Sequence, residues 1–190
     1  MSEVSEAMQA LYAGDRERAE SLLTPGGETV FEAAAFGRVG RLAELLSAQP
    51  ELVGSYSPDG FTPLHLACFS GGAQATLLLV ERGADLEALS TASFACVRPL
   101  GTAAFARDGE SAEVLLCAGA EPNGRGEGDF TPLHTAAQNG DVELMRLLLE
   151  HGADADATAS NGRTPGDLAR EAGHDGCARL LENNCDTTVP

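Results

Sequence analysis

The sequence contains no tryptophan, and aromatic residues make up only 5% of its 190 residues. Hydrophobic residues nevertheless reach 43%, which is ordinary for a globular protein. The apolar content therefore consists largely of small and aliphatic side chains. This composition favours thin, stacked helical layers over a single bulky core.

Basic residues are scarce as well. Twelve Lys and Arg stand against 29 Asp and Glu, which gives a formal net charge of -17. Nucleic acids and anionic membrane surfaces attract clustered cations, so this charge argues against both as partners. Two interpretations stay open: the acidic surface serves solubility alone, or it selects a basic protein partner.

Several chemical signatures are also missing. The five Cys form no CxxC pair, the N-terminus lacks the features of a signal peptide, and no apolar run approaches the ~18 residues of a membrane span. We therefore expect a cytoplasmic protein without a membrane partner. No His lies at metal-ligand spacing from a Cys pair, and no P-loop, GxGxxG or GxSxG occurs, so we expect no metal and no cofactor.

What the sequence does contain is a repeat. The string FTPLH at 61-65 returns at 130-134, and related strings begin at Thr29, Arg98 and Thr164. The five anchors, Thr29, Thr62, Arg98, Thr131 and Thr164, are separated by 33, 36, 33 and 33 residues. Each is followed by a Leu-rich segment with helical spacing. A period of this length indicates stacked helical units.

Each position of TPLH has a local structural explanation. Thr is predicted to cap a helix, Pro to occupy its first turn, and His to stand where a capping box usually has Glu or Gln. His65 and Cys68 are three residues apart on the same predicted helix, so a thiol-imidazole nucleophile is an alternative. We interpret both as structural positions and expect no catalytic residues.

The unit, TPLHxAAxxG followed by a second helix ending in GAD, resembles the ankyrin repeat. The resemblance implies an all-α solenoid of about five helix-turn-helix repeats with short β-hairpin fingers over residues 28-182. The predicted repeats are 28-60, 61-96, 97-129, 130-162 and 163-182. Residues 1-27 show the same order of helix, Gly and helix, and they are predicted to form an N-terminal capping helix pair. Residues 183-190 are predicted to form a disordered tail.

The resemblance also implies a non-catalytic protein-protein interaction module that contacts its partner through its concave face and fingers. The positions before each cap and before each mid-repeat Gly include Phe61, Phe69, Phe94, Val97, Phe105, Phe130, Gln138, Asn139 and Arg163, together with Asp59 and Glu127. We expect a monomeric adaptor or scaffold; the alternative is a regulatory subunit or inhibitor that occludes an enzyme's active site. The rings either recognise a partner or pack sideways on neighbouring fingers.

The third repeat departs from the pattern. Arg98 replaces the capping Thr, Gly101 replaces His, Arg107 replaces the turn Gly, and the connection 86-97 has three extra residues. Either the repeat has drifted, or its long finger was kept for contact with a partner.

Overall fold

The computed structural model describes residues 4-93 and 96-185, with side chains as far as 182. The described residues form twelve α-helices, as the repeat pattern predicts. They are α1 (Glu6–Tyr12), α2 (Arg16–Leu22), α3 (Val30–Ala35), α4 (Val39–Ala48), α5 (Pro63–Leu66), α6 (Ala73–Glu81), α7 (Pro99–Ala106), α8 (Gly109–Cys117), α9 (Pro132–Asn139), α10 (Val142–Glu150), α11 (Pro165–Glu171) and α12 (Asp175–Cys185). The all-α prediction is confirmed.

The helices stack as pairs, each against the next pair in the chain. We call the first helix of each repeat the inner helix and the second the outer helix. Each inner helix packs against the next inner helix in the order α3, α5, α7, α9 and α11, and each outer helix against the next outer helix in the order α4, α6, α8, α10 and α12. Each repeat thus packs mainly against its neighbours, which is the arrangement of a solenoid.

Four of the five inner helices begin with a capping box. The hydroxyls of Thr29, Thr62, Thr131 and Thr164 accept a hydrogen bond from the backbone N–H three residues on, and that residue's side chain accepts one from the Thr N–H. Each box satisfies two N–H groups that a helix start leaves unpaired. The remaining inner helix, α7, has Arg98 at its N-cap position, and no side chain caps it there, as predicted.

Small residues allow the inner helices to approach closely. Ala34, Ala67, Ala104 and Ala137 are all fully buried. A close approach joins the first two repeats, because a Cβ at Gly71 would collide with the Ala34 carbonyl oxygen. Gly71 belongs to a π-helical turn, Ala67–Gly71, and the residue with positive φ here is Gly72. The chain therefore turns one residue later than the repeat register predicts.

The loops between repeats form four fingers, which we number by the repeat they precede: finger 2 (57-61), finger 3 (90-97), finger 4 (126-130) and finger 5 (159-163). A backbone hydrogen bond closes each finger, for example Ser57 N to Phe61 O at 2.8 Å and Ser90 N to Val97 O at 2.9 Å. Residues 4-93 and 96-185 contain no strand. The predicted β-hairpins are not confirmed.

The last helix extends past the predicted end of the repeats. α12 runs to Cys185, so residues 183-185 of the predicted tail are helical, and 186-190 lie outside the described residues. The remaining predicted boundaries stay predictions. None of the helices described combines the length and apolarity needed to cross a bilayer.

Candidate functional site: a cavity lined by inner helices and fingers

Six of the predicted contact residues line one cavity of about 570 Å³. Fingers 2 and 3 contribute Phe61 and Val97, finger 4 contributes Glu127 and Phe130, and the C-terminal ends of the inner helical segments contribute Phe69 and Phe105. These residues are spread over more than 60 positions of sequence (61 to 130). Stacking of consecutive repeats brings them together.

The rings in this cavity differ in how much they pack against the protein. Phe61 lies 5.9 Å from the His65 ring and Phe130 lies 5.2 Å from the His134 ring, measured between centroids. Both rings therefore contribute to packing inside their own repeat. Phe105 is 67% exposed, more than any other large hydrophobic side chain among the residues that the structure describes. A ring this exposed is a candidate contact for a partner.

The two histidines beside the cavity are structural and fully buried. The Thr62 N–H donates to His65 Nδ1 at 3.3 Å, so the ring proton is on Nε2, which donates to the Val97 carbonyl at 2.9 Å. His134 repeats this arrangement with Thr131 and the carbonyl of Arg163. Burial lowers the pKa of both histidines because it disfavours the charged ring. Each His thus ties its repeat to the following finger, a contact that the sequence analysis did not foresee.

The third repeat has no such ring, because Gly101 stands at the equivalent position. A Cβ built on Gly101 would lie 2.9 Å from Cγ2 of Val97, so Val97 approaches the helix where a side chain would otherwise stand. Finger 4 is attached to finger 3 by the Glu127 N–H, which donates to the Cys96 carbonyl at 2.6 Å, and similar backbone bonds join the other neighbouring fingers. Val97 thus packs beside Gly101, which itself lines the cavity.

Arg98 joins the connection that precedes finger 3 to the connection that precedes finger 4. Its Nη1 donates to the Glu87 carbonyl at 2.8 Å and to the Glu87 carboxylate at 3.1 Å, and its Nε donates to the Arg125 carbonyl at 3.3 Å. Arg98 therefore replaces a helix cap with a brace between two connecting segments. Its charge is compensated by Glu87.

Tyr12 closes the N-terminal edge of the cavity and was missed by the sequence analysis. Its hydroxyl donates to the Asp59 carboxylate at 2.6 Å, and its ring meets Phe69 edge-on with the centroids 5.9 Å apart. Burial, and then Asp59, raise the pKa of Tyr12. A sequence signal existed, because Tyr12 stands two residues before Gly14 as Phe69 stands two before Gly71.

The other predicted contact residues lie outside this cavity lining. The amide of Asn139 donates to the Ala104 carbonyl at 3.2 Å, which joins the third and fourth repeats. Arg163 forms an ion pair with Glu171, and Gln138 is exposed. Phe94 lies outside the described residues. Contact of these four residues with a partner stays a prediction.

The geometry does not support a thiol-imidazole nucleophile. Cys68 is fully buried and its Sγ lies 3.9 Å from the Thr76 hydroxyl, while burial raises the pKa of the thiol to about 12. Both ring nitrogens of His65 already have partners in Thr62 and Val97. A neutral thiol without a base is a poor nucleophile.

Comparison with known proteins identifies the repeat. A family model described as "Ankyrin repeats (3 copies)" matches residues 99-190, and one described as "Ankyrin repeat" matches 59-91. Ankyrin repeat and SOCS box protein 16 of Mus musculus is 39% identical over 120 residues, 60% of this chain. Tyrosine-protein kinase Shark of Drosophila melanogaster is 33% identical over 141 residues, 74% of this chain. Cyclin-dependent kinase 4 inhibitor B of Mus musculus is 36% identical over 119 residues, 62% of this chain.

These relatives differ in how much of them the chain spans. The match covers 26% of the SOCS box protein and 15% of the kinase, but 88% of the kinase inhibitor. The capping boxes, the stacked helix pairs and these matches agree, and the chain belongs to the ankyrin repeat family.

Proposed function

We propose that this chain binds a protein partner through the cavity and the fingers around it, as an adaptor or scaffold without catalysis. Ankyrin repeats mediate protein-protein interaction, and the family is typically non-catalytic. The observation that carries the proposal is the cavity itself, in which exposed Phe105 and three further Phe rings converge. Contiguous exposed apolar surface on an otherwise acidic protein is typical of a recognition site.

The proposed contact surface extends beyond the cavity along the neighbouring repeats. Gln138 and Arg163 are exposed on the fourth repeat and on finger 5. Asn139 and Phe94 complete the contact positions that the family register implies. We expect the protein to act as a cytoplasmic monomer.

An inhibitor that occludes an enzyme's active site is the second candidate function. It is supported by the similarity to cyclin-dependent kinase 4 inhibitor B, because the match takes up 88% of that protein. The adaptor is favoured because the same repeats also match a SOCS box protein and a tyrosine kinase. Similar repeats thus occur in proteins of different kinds.

Affinity capture from a cell lysate, followed by binding measurements with the purified partner, tests the proposal. Phe105→Ser should weaken binding by about 2 kcal/mol and leave the melting temperature nearly unchanged. Leu77→Ser is the matched control, because Leu77 is 46% exposed on outer helix α6, away from the cavity. Equal affinities for the two variants would contradict the proposed surface. An enzyme partner whose activity falls in proportion to bound chain would favour the inhibitor.

A further inference from the structure

We propose that the cavity takes a basic protein segment, which places neighbouring bulky apolar side chains between the Phe rings of the cavity, against Gly101. This inference rests on the proposed function and specifies the partner's chemistry.

The cavity is larger than one side chain requires. Its volume of about 570 Å³ falls within the ~300–1,000 Å³ typical of sites that enclose a whole small ligand. The walls are rings of Phe61, Phe69, Phe105 and Phe130, and the backbone of Gly101 forms part of the floor. Two adjacent apolar side chains of an extended segment fit this size and this lining.

The glycine at this position is specific to the third repeat. At the equivalent position the other inner helices carry Glu32, His65, His134 and Asp167, and each side chain completes a capping box. Gly101 lacks both that cap and the helix propensity of a larger residue. The repeat still folds with Leu100, Ala103 and Ala104 buried. In place of a polar capping side chain, the apolar Val97 packs at this position and lines the cavity together with Gly101.

The charge around the cavity is negative at both ends. Asp59 lies beside Tyr12 at one end, and Glu127 lines the cavity on finger 4. Among the residues that the structure describes, no ion pair joins either carboxylate to a cation, whereas Arg98 at the cavity is paired with Glu87 at 3.1 Å. With the net charge of -17, this arrangement attracts Lys and Arg that flank an apolar anchor.

The same charge argues against a second copy of this chain as the occupant. Two copies would bring together two surfaces of equal negative charge, which is unfavourable across an interface. A small apolar molecule satisfies the cavity but leaves Glu127 without a cation. A basic segment with apolar anchors satisfies both features.

Selection from a random displayed peptide library on the full chain tests the inference without a known partner. The selected peptides are synthesised with a fluorescent label and titrated by anisotropy against the wild type and variants. Gly101→Leu adds a bulky side chain at the cavity lining, where its Cβ would lie 2.9 Å from Cγ2 of Val97, and Gly109→Leu adds the same side chain where nothing lies within 4 Å of the new Cβ. Glu127→Arg reverses a charge at the cavity, and Glu113→Arg does so at an exposed position of outer helix α8.

We expect the selected peptides to carry adjacent bulky apolar residues flanked by Arg or Lys. Gly101→Leu and Glu127→Arg should each weaken their binding by about tenfold or more, while both control variants should bind like the wild type. The peptide should also slow alkylation of Cys96, which lines the cavity, and not of Cys117, which is exposed elsewhere.

Other outcomes would overturn the inference in distinguishable ways. Neutral or acidic peptides, unaffected by Glu127→Arg, would refute the basic partner and leave the proposed function standing. Unchanged binding to Gly101→Leu would refute contact of the segment with the cavity lining at Gly101. Selection of no peptide, with an apolar dye bound at the cavity, would indicate a small-molecule site. Should Gly101→Leu fail to fold, Glu127→Arg and Phe105→Ser decide the outcome, because both residues are exposed.

Discussion

The third and fourth repeats have helix pairs of equal length and hold them differently. The inner helix α9 has a Thr cap, a capping-box His134 and a left-handed Gly140 at its end. The inner helix α7 has Arg98, Gly101 and Arg107 at those places, and Arg107 adopts a left-handed φ of 60°. Both repeats nevertheless bury an equivalent Leu completely, Leu115 in the third and Leu148 in the fourth.

The difference between these repeats distinguishes residues that stabilise a single helix from residues that pack one repeat against the next. A lost cap, a helical Gly and a left-handed Arg each cost about 1 kcal/mol. Packing against the second and fourth repeats offsets these losses, because the stability of a repeat includes its interfaces with both neighbours. The residues facing the cavity can therefore change while the stack persists.

The largest expected effect tests whether the two repeats are equally well packed. Leu148→Ala and Leu115→Ala should each lower the free energy of unfolding by about 2–5 kcal/mol, since each leaves a cavity among buried side chains. Chemical denaturation followed by circular dichroism measures both. A much smaller loss for Leu115→Ala would mean that the third repeat is loosely packed and that its irregularities reach the core.

A smaller effect distinguishes the repeats that contain histidine. An unfolded His takes up a proton near pH 6.5, while burial lowers the pKa of His65 and His134 in the folded chain. The unfolded state therefore binds more protons below that pH, and stability, fully present above it, falls as the pH decreases. Each His contributes at most about 1.4 kcal/mol per pH unit.

Denaturation curves between pH 7 and pH 5 provide the measurement for this prediction. The double variant His65→Gln, His134→Gln should be less stable at pH 7, by about 1–3 kcal/mol per site, because one amide cannot reach both the cap and the next finger. Its stability should also depend less on pH. An unchanged pH dependence in the double variant would show that other groups dominate this range.

The smallest effect concerns the ends of the two inner helices. Arg107→Gly should raise the free energy of unfolding by about 1 kcal/mol, because Gly adopts the left-handed conformation without strain. Gly140→Ala should do the reverse, since a Cβ there would lie 2.6 Å from Nδ1 of His174. Thermal melting compares the two, and a lower melting temperature for Arg107→Gly would mean that the 3.9 Å ion pair of Arg107 with Asp141 outweighs the strain.

The sequence predicted best those structural features whose physical cause lies within a few residues. The caps at Thr62 and Thr131 and the missing cap at Arg98 depend on residues within one helical turn, so spacing alone predicts them. The family register likewise selected Phe61, Phe105 and Phe130. It also selected Asn139, whose amide donates to the preceding inner helix. The register does not predict this intramolecular hydrogen bond.

Other features depend on distances between repeats, which no local pattern contains. The bond of His65 to the Val97 carbonyl spans 32 residues, and the contact of Tyr12 with Asp59 spans 47. The π-helical turn likewise ends at Gly71, where the chain closely approaches Ala34 of the neighbouring repeat.

By itself the sequence determined the repeat, its helices and their starts, because hydrophobic period and caps act within a few residues. Only the tertiary structure decided that Gly101 lines the cavity, that Arg98 joins two connecting segments, and that Tyr12 closes the edge of the cavity. These three properties arise from the stacking of the repeats, since each depends on how closely one repeat packs against the next.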